Sequence, residues 1–173
     1  NCCDMLESNF PETFISRKPI EDIKKSDINA IQSDIELLTA GFPCQSFSTA
    51  AGNFQGFDDP RGKLFFEIPR FISIMNKPPK VVLLENVPNI KKFDSGSMLR
   101  RIINEMKLAG YWVKQQHAQI LSSHEFGGSP QKRERLYIVC VHRKFFKANA
   151  FDFSSIMPIS SPNLFDFINR DQK

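Results

Sequence analysis

The sequence lacks any apolar run near the roughly 20 residues that a membrane-spanning helix requires, so no such span is expected. It also lacks the charged, apolar, small-residue start that marks a secretory signal. There is no internal repeat and no low-complexity tract, which argues against a repeat architecture. Cysteines are few (Cys2, Cys3, Cys44 and Cys140), there is no C-x-x-C pair, and only 3 histidines are scattered among them. That spacing does not suit zinc, and reduced thiols in an intracellular compartment are the expectation. Excess charge is small as well: +4, with a pI near 8.9. Such a balance is compatible with an anionic partner such as nucleic acid but decides nothing.

What is present reads as a globular chain. Its 173 residues are 41% hydrophobic and 24% charged, enough for one α/β domain with a real core. Residues 1–10 read as part of a helix, and Ile35 to Thr39 as a short buried strand halted by Gly41 and Pro43. Phe47 to Gly62 is rich in Ser, Gly, Asn and Asp. A loop of that length in a compact domain points to a lid or binding element. Leu64 to Met75 has helical spacing, with Pro69 as a possible kink. Val81 to Leu84 reads as a strand ending at Glu85. Leu99, Ile102, Ile103 and Met106 share a helix face that Gly110 would cap. Tyr111 to Leu121 and Leu136 to Val141 read as two more strands. This alternation predicts a mainly parallel sheet with helices on both faces.

Certain positions carry chemistry. In Gly41-Phe42-Pro43-Cys44-Gln45-Ser46-Phe47-Ser48 a cysteine follows directly on a predicted strand, where open α/β sheets bind ligands. A thiolate there would be a strong nucleophile, although a lone cysteine equally fits a small buried hydrophobe. Glu85 stands at a strand end, where a partly desolvated carboxyl can donate a proton; it also fits a solvated strand cap. Gln131-Lys132-Arg133-Glu134-Arg135 precedes a strand, so Arg133 and Arg135 alternate onto one face. An arginine fork at that edge can hold a carbonyl or phosphate, while in isolation the stretch fits a solvated basic patch.

Order and spacing are more telling than any single motif. Pro-Cys-Gln-x-Phe-Ser is followed by Gly-Phe-x-Asp-x-Arg-Gly-x-Leu-Phe-Phe from Gly56 to Phe66, then by Glu-Asn-Val and Gln-x-Arg-x-Arg. This series, between about residues 9 and 141, resembles the cytosine-5 DNA methyltransferase family, most of all its bacterial restriction–modification members. The resemblance implies a Rossmann-like fold that uses S-adenosylmethionine to methylate carbon 5 of cytosine in double-stranded DNA. Cys44 matches the cysteine that attacks carbon 6, and Glu85 the acid that protonates ring nitrogen 3. Arg135 matches the arginine that holds the base carbonyl, with Arg133 as its structural or phosphate-binding neighbour. The base must be flipped out of the duplex, and the loop after Cys44 matches a mobile catalytic loop whose Gln45, Ser46, Ser48 and Arg61 would face DNA. On the cofactor side Pro43 and Leu64 match pocket-lining positions, and Asp22-Ile23 an Asp-Ile that meets adenine. Asp27-Ile28 is a rival alignment, and Glu21 replaces the usual glycine.

The family's Gly-rich cofactor loop has no counterpart, because no two glycines stand as Gly-x-Gly. The acidic residue that follows it and a target-recognition region are also missing. Residues 1–173 are therefore expected to be the central part of a catalytic domain, inert or feeble alone. The expected setting is a bacterial cytoplasm near the nucleoid, as a monomer beside a cognate restriction endonuclease. Two rivals remain at this point: a transfer-RNA cytosine-5 methyltransferase, and a non-catalytic DNA-binding pseudoenzyme.

Overall fold

The structure, a computed structural model, describes residues 2–31, 34–43, 60–160 and 163–164. Its centre is a mixed five-stranded sheet in which β1 (Leu37–Gly41), β2 (Val81–Asn86) and β5 (Glu134–His142) lie side by side. β3 (Tyr111–Trp112) and β4 (Ala118–Ser122) pair with successive stretches of the far edge of β5. The helices are α1 (Cys2–Asn9), α2 (Lys25–Ile31), α3 (Pro60–Lys63), α4 (Glu67–Ile74), α5 (Ser97–Leu108) and α6 (Ser123–Phe126).

Alternation along β2 explains how the core divides. Val82, Leu84 and Asn86 point to one face, where they meet Ile68 and Ile72 of α4 and Leu99, Ile102, Ile103 and Met106 of α5. Val81 and Leu83 point to the other face, where Trp112, Phe146, Phe151 and Phe153 cover them. Each fully buried aliphatic side chain, such as Leu84 or Ile102, contributes about 1.5–3 kcal/mol. At the lower end of the sheet Tyr111 is sealed in the core and its hydroxyl donates to the Pro79 carbonyl at 2.9 Å. Gly110, at φ 98°, makes the left-handed turn from α5 into β3 that a side chain would resist.

The α/β class stands, with differences in detail. Four of the five strands run the same way and β5 is reversed, so the sheet is mixed: β1 and β2 pair parallel, whereas β2, β3 and β4 all pair antiparallel with β5. The connection from β4 to β5 carries only the single turn of α6, too short for the crossover a parallel strand needs. Helices α4 and α5 share one face, and among the described residues the second face is covered by the aromatic segment after β5 rather than by a helix. β1 lies two residues beyond its expected place because its register against β2, Leu37↔Val81 to Gly41↔Glu85, carries it through Gly41. The expected strand 111–121 is broken by a 3-10 turn at Gln115–His117. Pro69 kinks nothing, since it stands in the first turn of α4, where a missing N–H goes unused.

Candidate active site

The upper end of the sheet gathers what the sequence scatters. β1 and β2 end there, and β5, running the other way, begins there. Glu85 shares the second sheet face with Leu83, and Arg135 reaches it from β5: Arg135 Nε lies 2.9 Å from Glu85 Oε1. The pair is partly open, with the arginine side chain 22% and the glutamate 39% exposed. Arg135 Nη1 also donates to the Glu134 carbonyl at 2.7 Å, which fixes the plane of the fork.

Asn86, one residue on, faces the opposite way and is buried. Its Nδ2 donates to the Phe42 carbonyl at 2.9 Å, and its Oδ1 accepts from the Val87 N–H at 2.8 Å. The end of β2 is thereby tied to the segment Phe42-Pro43 that leads into Cys44. Sequence reading gave Asn86 no role, and the available signal was a polar residue closing an apolar strand.

The expected site residues divide by place. Glu85 and Arg135 come together. Arg133, just before β5, is exposed, and its carbonyl accepts from the Ser123 N–H at 3.0 Å. Pro43 and Leu64 are both half-buried and are linked by their neighbours, the Phe42 and Phe65 rings, whose centroids are 5.2 Å apart. Asp22 and Ile23 close a 3-10 turn that Arg70 of α4 grips through the Ile20 and Ile23 carbonyls, so α4 positions them rather than the catalytic pair. Cys44, Gln45, Ser46 and Ser48 lie outside the described residues, as does the side chain of Arg61 in α3. Of the other cysteines, Cys140 is sealed in the core and burial pushes its thiol well above the ordinary range, which suits packing and not attack.

Chemically, the pair sets a carboxyl group and a fixed cation side by side at the upper end of the sheet. Such an arrangement can grip a flat, polar ring by adjacent atoms.

Residues 1–172 match the family described as C-5 cytosine-specific DNA methylase. The Type II methyltransferase M.HhaI of Haemophilus parahaemolyticus is 38% identical over 167 residues, which is 91% of this chain and 47% of that protein. M1.ScrFI of Lactococcus lactis subsp. cremoris, also a Type II methyltransferase, is 44% identical over 142 residues, 82% of this chain and 34% of that one. Among solved structures, the Entamoeba histolytica methyltransferase EhMeth superposes with a TM-score of 0.61 at 21% identity, covering 80% of this chain and 41% of its own. The chain thus spans between 34% and 47% of the length of these curated relatives.

Proposed function

Because the chain belongs to the C-5 cytosine-specific DNA methylase family, we propose that it carries the catalytic centre for methylating carbon 5 of cytosine in duplex DNA with S-adenosylmethionine. The observation that carries this reading is the Arg135–Glu85 pair at the upper end of the sheet, beside the segment that leads into Cys44.

Cytosine presents two neighbouring acceptors, ring N3 and carbonyl O2, so a pocket that reads this edge needs two donors. Arg135 donates from its guanidinium to O2, and Glu85 donates the proton of its carboxyl to N3. As N3 takes that proton, carbon 6 becomes electron-poor and the Cys44 thiolate adds to it, forming a C–S bond. Carbon 5 is now nucleophilic and takes the methyl group. Its own proton then leaves to a base, the C–S bond breaks to return the thiolate, and N3 gives its proton back to Glu85.

S-adenosylmethionine, when bound, supplies the electrophilic methyl group. Pro43 and Leu64, both half-buried, are the residues proposed to give it an apolar wall, and Asp22 and Ile23 a carboxylate and an apolar contact for its adenosine. The target base reaches this centre only when turned out of the helix, at a cost of about a few kcal/mol. Gln45, Ser46, Ser48 and Arg61 are the groups proposed to hold the displaced strand.

The test is covalent trapping on DNA containing 5-fluorocytosine, with the chain alone and within its full reading frame. Fluorine does not leave as a proton does, so Cys44 stays bonded to the base. An adduct that needs S-adenosylmethionine and disappears in Cys44→Ser supports the proposal. No adduct from either form, on DNA of varied sequence, overturns it. Trapping on transfer RNA alone would move the substrate to RNA, and binding without trapping would mark a non-catalytic DNA binder.

A further inference from the structure

Arg135 is the second residue of β5, and strand ends fray unless something beyond the ladder holds them. The connection 123–133 supplies that hold at one residue, Ser123. Its N–H donates to the Arg133 carbonyl at 3.0 Å, continuing the β4–β5 ladder one step past the Ser122↔Glu134 pair. Its hydroxyl donates to the Gln131 carbonyl at 2.7 Å. Its own carbonyl accepts from the Gly127 N–H at 3.0 Å and the Ser129 N–H at 3.1 Å. The chain winds so closely here that a Cβ at Gly127 would stand 3.0 Å from the Ser123 oxygen. Both ends of the connection are therefore fastened to a single residue, and only the bond to Gln131 depends on the serine side chain.

We infer that Ser123 is a positioning residue for Arg135: its hydroxyl fixes the Gln131–Arg133 approach so that the guanidinium meets Glu85 in a set orientation. The path is short. Ser123 fixes the Arg133 peptide, the next peptide offers the Glu134 carbonyl to Arg135 Nη1, and Arg135 Nε then faces Glu85 Oε1. A guanidinium fork is directional, so functional geometry must be held to about 0.5 Å and 10–20°. The catalytic meaning of this inference rests on Arg135 as the base-holding arginine; the positioning itself does not.

The experiment follows the Arg135 Nε–H resonance by nitrogen-15 NMR in the chain, assigned by its loss in Arg135→Lys. Ser123 is compared with the Thr, Cys and Ala variants. Bonded to the carboxylate, this proton exchanges slowly with water. Ser123→Thr keeps the hydroxyl and should keep the slow exchange. Ser123→Ala should speed exchange about tenfold, with Ser123→Cys, a weak donor, between them. A Ser123→Ala variant that loses thermal stability but leaves Arg135 exchange unchanged overturns the inference, because Ser123 is then only a brace for the loop. In the full reading frame, Ser123→Ala should also lower kcat while KM for S-adenosylmethionine stays put. An unaltered protein that forms no fluorocytosine adduct would refute the methylase reading, and the exchange series would still decide the role of Ser123.

Discussion

Glu85 and Arg135 come from strands that run in opposite directions, yet Nε and Oε1 meet at 2.9 Å on one face of the sheet. Neither group is delivered by a loop: each stands within a strand whose partners are hydrogen-bonded on both sides.

If the pair acts as a two-pronged clamp on one base, its members are not independent. Glu85→Gln and Arg135→Lys should each slow methyl transfer by about 10²–10³-fold. The double variant should be little worse than the poorer single one, as residues that act as a unit are non-additive. Single-turnover kinetics on DNA decide it, and effects that multiply would mean separate roles.

Asn86 should matter for folding as well as chemistry. Asn86→Leu removes the buried bond to the Phe42 carbonyl and the bond from the Val87 N–H, at a cost of about 1–3 kcal/mol. Urea unfolding measures the loss. A variant as stable as the parent would show that the tie between β2 and the Phe42-Pro43 segment is dispensable.

His117 gives the fold a pH dependence. It is 1% exposed, its two ring nitrogens have no hydrogen-bond partner in the structure, and it stands edge-on to Phe151. Burial holds its pKa below the ordinary 6.5; Lys114 pushes the same way and Asp152 opposes. The unfolded chain therefore takes up a proton near pH 6.5 that the folded chain refuses. Stability is full above that value and falls as pH drops through the folded-state pKa. His142 is shifted in the same direction, by burial first and then by Lys144 and Arg143. Unfolding midpoints should decline on acidification, and His117→Phe should remove part of the decline. An unchanged slope in that variant would point to other groups.

Cys140 should be silent. Native protein treated with iodoacetamide should label the exposed Cys2 and spare Cys140, whose thiol burial keeps protonated. Cys140→Ala should leave trapping on fluorocytosine DNA unchanged. Rapid labelling of Cys140 would mean that the core opens often.

Sequence marked the strand ends more clearly than the direction in which the strands run. Glu85 and Arg135 were legible because a carboxyl at the end of an apolar run and an arginine at the start of one are local patterns. That they touch was not, since it depends on the antiparallel direction of β5. The place of β1 was hidden for a similar reason: Ile35 and Leu37 fit the same alternation, and only pairing with β2 chooses between them. Ser123 escaped notice because three of its four bonds use its backbone and the fourth goes to a main-chain carbonyl that any residue could present. Asp22 and Ile23 were singled out by resemblance, and their link to α4 runs through Arg70, a residue with no motif to mark it.

The ladder between β2 and β5 separates two kinds of sequence change. The β2–β5 register sets the spacing of the pair, so a length change in the turn at Asp94–Gly96 should leave the clamp in place, whereas the 123–133 connection orients Arg135 and is not free to vary. A single residue gained or lost inside either strand is another matter. It would turn one member to the α4–α5 side of the sheet and end the partnership at once.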